Sequence, residues 1–178
     1  MIFIETERLI LRDWEESYKE VFFEINSDYE NMRFFPSVLT REESDAMADR
    51  ISGKIEKDGF GLFAVVLKET DEFIGFIGLS VPSFKADFTP RVEIGWRLHK
   101  RFWKKGLATE GAKAVLDFAF SELKLDELVS FTAEINLPSI AIMERIGMVR
   151  DADGDFDHPN VDKSSELCRH VLYRSREK

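Results

Sequence analysis

The stretch from Arg91 to Glu122 constrains this chain more than any other. From Arg91 to Leu98 the residues alternate, with Val92, Ile94, Trp96 and Leu98 facing one way and Glu93, Gly95 and Arg97 the other. That period of two belongs to a β-strand with two different faces. Gly106 to Glu122 carries Ala108, Ala112, Val115, Leu116, Ala119 and Phe120 on one apolar stripe, the strongest helical pattern in the sequence. Between strand and helix, Arg97, Lys100, Arg101, Lys104 and Lys105 supply five of the 25 basic residues, uninterrupted by any acid. A helix N-terminus is already positive, so cations gathered there cost a few tenths of a kcal/mol each unless an anion compensates. Its free N–H groups are a phosphate site, and Gly106 lets a ligand approach the backbone. A phosphate-bearing ligand at the helix entrance is one reading, and a solvated basic loop with a helix-start glycine is the other. The P-loop pattern G-x-x-x-x-G-K-[ST] is absent.

The rest of the chain supplies the frame. Arg8 to Asp13 reads as a short first strand and Glu15 to Asn26 as a helix, with Tyr18, Val21, Phe22 and Ile25 at helical spacing. Thr40 and Glu43 form a capping box for a second helix that Gly59 ends. Phe60 to Leu67 is a nearly continuous apolar run, as in a strand buried on both faces. A polar turn joins it to a strand at Phe73 to Val81, so the two make a hairpin. Pro82 to Pro90 reads as a loop, Leu128 to Ala133 as a strand, and Asn136 to Ile146 as a helix stopped by Gly147. Leu167 to Tyr173 reads as the last strand. The order β-α-α-β-β-β-α-β-α-β predicts an α/β sandwich on a mixed sheet. With no repeat or linker, residues 1–178 are expected to form one domain.

Composition narrows the partners. A net charge of −9 argues against a nucleic-acid binder, which needs a basic face, and suits a cationic acceptor such as an amine. Cys168 is the single cysteine, so no intrachain disulfide or thiolate zinc cluster forms and a cytoplasmic location is expected. His99, His158 and His170 lack metal-ligand spacing, and no metal is expected. No apolar run approaches the roughly 18 residues of a membrane span.

Trp103-Lys-Lys-Gly106-Leu-Ala108 resembles the [Q/R]-x-x-G-x-[G/A] pyrophosphate loop of the GNAT acetyltransferases. The match extends to E-I-G-W-R-L before the loop and A-T-E-G-A after it. Thr6-Glu-Arg-Leu-Ile-Leu-Arg12 looks like the N-terminal signature of the branch that includes ribosomal-protein N-terminal acetyltransferases. Asn136-Leu-Pro-Ser139 with Met143-Glu-Arg-Ile-Gly-Met148 is similar to a further segment of that branch. The resemblance implies a mixed, mostly antiparallel sheet flanked by helices, with a splayed strand pair forming an acyl-CoA cleft. It implies acetyl-CoA as co-substrate and transfer of the acetyl group to a primary amine, a protein N-terminus or a small molecule, by a monomer or homodimer. A non-catalytic acyl-CoA-binding module and an enzyme using a larger acyl-CoA are the alternatives. Trp103 departs from the usual Gln or Arg, Lys104 stands where that branch often has Gly, and Met143 replaces the Tyr that serves many members as general acid.

On this resemblance the backbone of Lys104, Lys105, Gly106, Leu107, Ala108 and Thr109, after Trp103, would hold the pyrophosphate. Trp96, Arg97 and Leu98 would pair with the pantetheine, with Leu98 at the oxyanion. Glu93, two residues before that segment on the polar strand face, is the candidate base; a solvent-facing strand Glu is its other reading. Asn136 would bind coenzyme A or cap its helix, and Ser139 would touch the thiol or be an ordinary helix residue. Residues 34–36, 82–90 and 151–162 are candidate acceptor loops, with Trp14, Phe34, Phe35, Phe84 and Phe88 either flanking the cleft or packing the core. His158 stands in an acidic turn that lines the amine site or forms a surface loop, and Cys168 is expected in the core.

Overall fold

The computed structural model describes residues 1–176. One sheet runs through the fold in the order β1-β2-β3-β4-β5-β6-β9-β7, with β8 also on β9. Its strands are β1 (Ile2–Glu5), β2 (Leu9–Arg12), β3 (Leu62–Leu67), β4 (Glu72–Ser80), β5 (Glu93–Leu98), β6 (Glu127–Ala133), β7 (Val149–Arg150), β8 (Phe156–Asp157) and β9 (Arg169–Arg176). The helices are α1 (Lys19–Ser27), α2 (Arg41–Asp58), α3 (Leu107–Ser121) and α4 (Leu137–Arg145). All pairings are antiparallel except β5 with β6. The mixed, mostly antiparallel sheet matches the sequence expectation.

Local chemistry explains the boundaries. Thr40 accepts from the Glu43 amide while the Glu43 carboxylate accepts from the Thr40 amide, closing the capping box of α2. Gly59 ends that helix in the left-handed region, at φ 76°. Pro138 sits in the first turn of α4, where its missing N–H removes no helical bond. The sequence reading missed β1, β7 and β8, and the strand it placed at Arg8 to Asp13 is β2. The final strand begins at Arg169 and runs beyond Tyr173 to Arg176.

Two faces of the sheet are covered. On one, α3 lies so close that a Cβ on Gly111 would stand 2.4 Å from Ile77 Cδ1 and would push that side chain aside. Ile77 is opposite Trp96, which puts the Ile94-Trp96-Leu98 face of β5 on the α3 side. The other face carries Glu93 and Arg97 beside Ser80 and Phe76 and meets α1 and α2. Leu9, Phe63, Ile77, Ile94 and Val115 are fully buried in the main core. A smaller cluster of Phe88, Val129 and Leu172, with Phe84, Phe131 and Phe156 against it, sits by β6 and β9.

Candidate active site

The parallel pair of β5 and β6 is brief. Its register holds only at Glu93 and Val129, where the Val129 amide donates to Val92. The Ser130 hydroxyl then donates to the Ile94 carbonyl at 2.9 Å, in place of a backbone rung. Past that point the strands part. Val92 and Ile94 turn their backbone groups toward β6, so by strand alternation Trp96 and Leu98 do the same, while Gly95 and Arg97 face β4. The open edge of Trp96 and Leu98 therefore looks into a cleft. The Leu98 carbonyl is held by Asn31 Nδ2 at 2.8 Å and Trp103 Nε1 at 2.9 Å.

At the end of this edge the chain turns into α3. Lys104 and Gly106 both hold positive φ, 60° and 77°, the left-handed backbone found in anion-binding turns. The N–H groups of residues 104–109 find no acceptor among the described residues. Arg8 braces the loop from behind, its Nη1 donating to the Lys105 carbonyl at 2.9 Å. Its Nε and its amide donate to Glu110, which also accepts from Thr6 Oγ1. The N-terminal T-E-R-L segment and the A-T-E-G-A segment are thus two halves of one brace. The basic residues divide by role. Lys100 pairs with Asp28 at 2.6 Å, Arg101 stands 3.9 Å from Glu72, and Arg97 turns inward. Lys104 and Lys105 remain at the helix entrance, and Trp103 faces into the fold as a prop for Leu98 and a platform for Arg33.

A cavity of about 770 Å³ opens beside both features, within the size range of a ligand site. It touches Glu93, Trp96, Arg97, Leu98, Trp103, Lys104, Gly106, Leu107, Ala108, Thr109, Asn136 and Ser139, so nearly all sequence candidates meet in one space. Of the expected catalytic and cofactor-binding residues, Lys105 alone lies outside the lining, and its ammonium sits 5.2 Å from the Phe102 ring centre. Asn136 caps α4 by accepting from the Ser139 amide and donates to Thr132, so its capping reading holds while its side remains on the cavity.

Glu93 is a cleft residue, and its solvent-facing reading fails. Burial pushes its carboxyl up to about 8, opposed in small part by the Ser80 hydroxyl that donates to it at 3.3 Å. Met143 is buried against the cavity, and no tyrosine lines the walls among the described residues. Phe34, Phe35 and Pro36 line the cavity as expected, whereas the loop from Pro82 to Pro90 does not. Trp14 packs in the main core with its Nε1 donating to Leu62, and Phe84 and Phe88 pack in the smaller one. His158 and Asn160 do line the wall, as does His170, which sequence reasoning left unassigned. The two imidazoles stand 4.9 Å apart, and burial lowers both, His170 to about 4, so they are neutral at physiological pH. Cys168 is buried, as predicted. No metal-binding cluster and no membrane-crossing helix exist among the described residues.

The family model of the acetyltransferase (GNAT) domain matches residues 8–149. This chain belongs to the GNAT acetyltransferase family. As such it is an N-acyltransferase. It is 32% identical to the uncharacterized N-acetyltransferase YnaD of Bacillus subtilis, over 83% of each chain. It is 30% identical to the FsC-acetyl coenzyme A-N(2)-transacetylase of Aspergillus fumigatus, over 82% of this chain and 64% of that protein. A GNAT-family acetyltransferase structure from Bacillus anthracis superposes with a TM-score of 0.80 at 28% identity, covering 98% of both chains. A ribosomal L7/L12 alpha-N-protein acetyltransferase in complex with coenzyme A superposes at 0.79 with 14% identity, covering 99% of this chain and 98% of that one, a likeness of fold.

Proposed function

We propose that this GNAT acetyltransferase takes acetyl-CoA and acetylates a primary amine by direct attack of the neutral amine on the thioester carbonyl. The observation that carries this reading is the splay of β5 from β6, which leaves the Trp96–Leu98 edge unpaired beside the unspent amides of residues 104–109. A strand edge offers a pantetheine arm the amide partners it needs. A helix start with free N–H groups and Lys104 and Lys105 nearby offers a diphosphate its own.

The Leu98 amide, on that edge, is positioned to donate to the carbonyl oxygen as charge builds there, and one such donor is worth roughly 3 kcal/mol. The Leu98 carbonyl is already satisfied by Asn31 and Trp103, which fixes the peptide plane. Glu93 receives the amine proton. An α-amine titrates near about 8, so a carboxylate titrating in the same range is matched to it. The leaving thiolate needs little help, because a thiol pKa of about 8.5 makes it a far better leaving group than an amine or alkoxide. The Ser139 hydroxyl, on the cavity at the start of α4, is the group nearest in type to a proton donor. That makes the loss of tyrosine at Met143 tolerable.

Calorimetry with coenzyme A and a thiol-release assay with acetyl-CoA and a panel of amines test the reading. Binding plus amine-dependent thiol release is expected. No heat with coenzyme A overturns the site, and binding without turnover on any amine leaves a carrier module instead. Succinyl-CoA in parallel tests the size of the acyl group.

A further inference from the structure

We propose that the acceptor is a small amine bearing a carboxylate, which Arg97 grips while Glu93 takes the amine proton, an inference that rests on the acetyltransferase reading above. Glu93 and Arg97 share one face of β5, four residues and about 13 Å of strand apart. Between them lies Gly95, where an added Cβ would meet nothing nearer than Glu93 Oε1 at 3.8 Å. The strand thus presents a carboxyl, a bare floor and a guanidinium in line along the cavity wall.

Arg97 is an exception in an acid-rich chain. With 34 acidic residues against 25 basic, most arginines find a carboxylate, as Arg41, Arg150 and Arg174 do. Arg97 pairs with none among the described residues, and the only influence on its titration is burial, which lowers it to about 10 and leaves it charged at neutral pH. Its Nη1 donates to Asn26 Oδ1 at 2.6 Å. Its Nε is buried with no acceptor at all, and its Nη2 makes no hydrogen bond to the protein. The guanidinium carbon stands over the Phe35 ring at 4.2 Å and over the Phe76 ring at 5.4 Å. What remains unpaired is the Nε–Nη2 edge of the fork, the geometry that takes both oxygens of a carboxylate. An incoming carboxylate would satisfy the orphaned donor and neutralise the buried charge together.

The cofactor's phosphates are not the occupant, since the α3 entrance belongs to the opposite face of the sheet. The spacing calls for a ligand whose amine and carboxylate are separated by several bonds, with the carboxylate at the Arg97 end and the amine at the Glu93 end.

Matched acceptors test this on the wild-type chain: ω-amino acids and dipeptides, their amides, and the corresponding amines without the carboxyl group. The acids are expected to exceed both neutral series at least tenfold in kcat/KM, chiefly through KM. Arg97→Gln should bring the ratio close to one by raising KM for the acids about 10- to 100-fold, and Arg97→Lys should restore part of it. A carboxylate lacking an amine should inhibit the wild-type chain competitively against a neutral amine, a readout that stands if the variants fail to fold. Equal use of acids and amides, or a preference that survives Arg97→Gln, overturns the proposal. Those results would leave the acetyltransferase reading intact, whereas a failure to release thiol with every amine tested would remove both.

Discussion

The two sides of β5 are built from different materials. On the α3 side the site is made of backbone: the open edge at Trp96 and Leu98, then the amides of the loop in which Lys104 and Gly106 hold positive φ. On the α1–α2 side it is made of side chains: Glu93, Arg97, Phe35 and Phe76, held by Ser80 and Asn26. Backbone is present whatever the residue, so the first side tolerates substitutions such as Trp103 and Lys104 that depart from the family's pattern. A side chain does its work only if it is that side chain. The α3 side should therefore fail through conformation, and the other side through chemistry.

The largest expected effect is chemical. Glu93→Gln should lower kcat by about 10²- to 10⁴-fold, the usual worth of a positioned base, while calorimetry finds coenzyme A bound as before. In the wild-type chain kcat/KM should climb with pH toward about 8, and the variant should lose the part of that rise owed to Glu93. Stability gives an independent reading. The folded carboxyl keeps its proton to about 8, whereas an unfolded Glu releases it near about 4.3. Between those values the folded state binds more protons, so this group's contribution falls as pH rises. Glu93→Gln should then melt close to wild type at pH 4 and progressively higher than wild type up to pH 8, by about 2 kcal/mol there once partial solvent access is allowed for. A melting difference that stays flat with pH would show that the carboxyl titrates normally.

A conformational failure on the α3 side should be smaller. Gly106 holds φ 77°, and a Cβ there would stand 3.5 Å from Arg8 Nη2, an ordinary contact. Alanine is thus opposed by the backbone angle alone, at about 1–2 kcal/mol. Gly106→Ala should weaken coenzyme A binding about tenfold by calorimetry and leave the acceptor KM in place. A shift in acceptor KM of the same size would mean that the two sides of the strand are not separable.

The same division decided what could be read in the sequence. The strand, the basic loop and the helix lie within Arg91–Glu122, so alternation, charge and helical stripe all fall in one window. The capping box at Thr40 and the stop at Gly147 are local for the same reason. Asn31, which fixes the Leu98 carbonyl, acts across 67 positions, and Asn26, which holds Arg97, across 71. Neither leaves a pattern at its own position. Alternation placed Glu93 and Arg97 on one face correctly, but it could not tell solvent from a cavity, because the covering residues come from α1, α2 and the segment at Phe35. β1 has four residues and β7 and β8 two each, too few for a period of two to register. His158 and His170 meet only because β8 pairs with β9.

The smallest effect is the most exposed to refutation, because it predicts a gain. Lys104 adopts φ 60°, a region that costs a residue with a Cβ about 1 kcal/mol and that glycine adopts freely. Glycine removes that strain but adds freedom to the unfolded chain, which offsets part of the gain. Lys104→Gly should therefore raise stability by about 0.5 kcal/mol, a degree or two in Tm for a chain of this length. Coenzyme A affinity should fall less than threefold, since only one screened charge is lost and every amide is kept. A fall of tenfold or more would place the lysine ammonium, rather than the backbone, at the centre of diphosphate binding. The α3 side would then be a side-chain site like its counterpart across the strand.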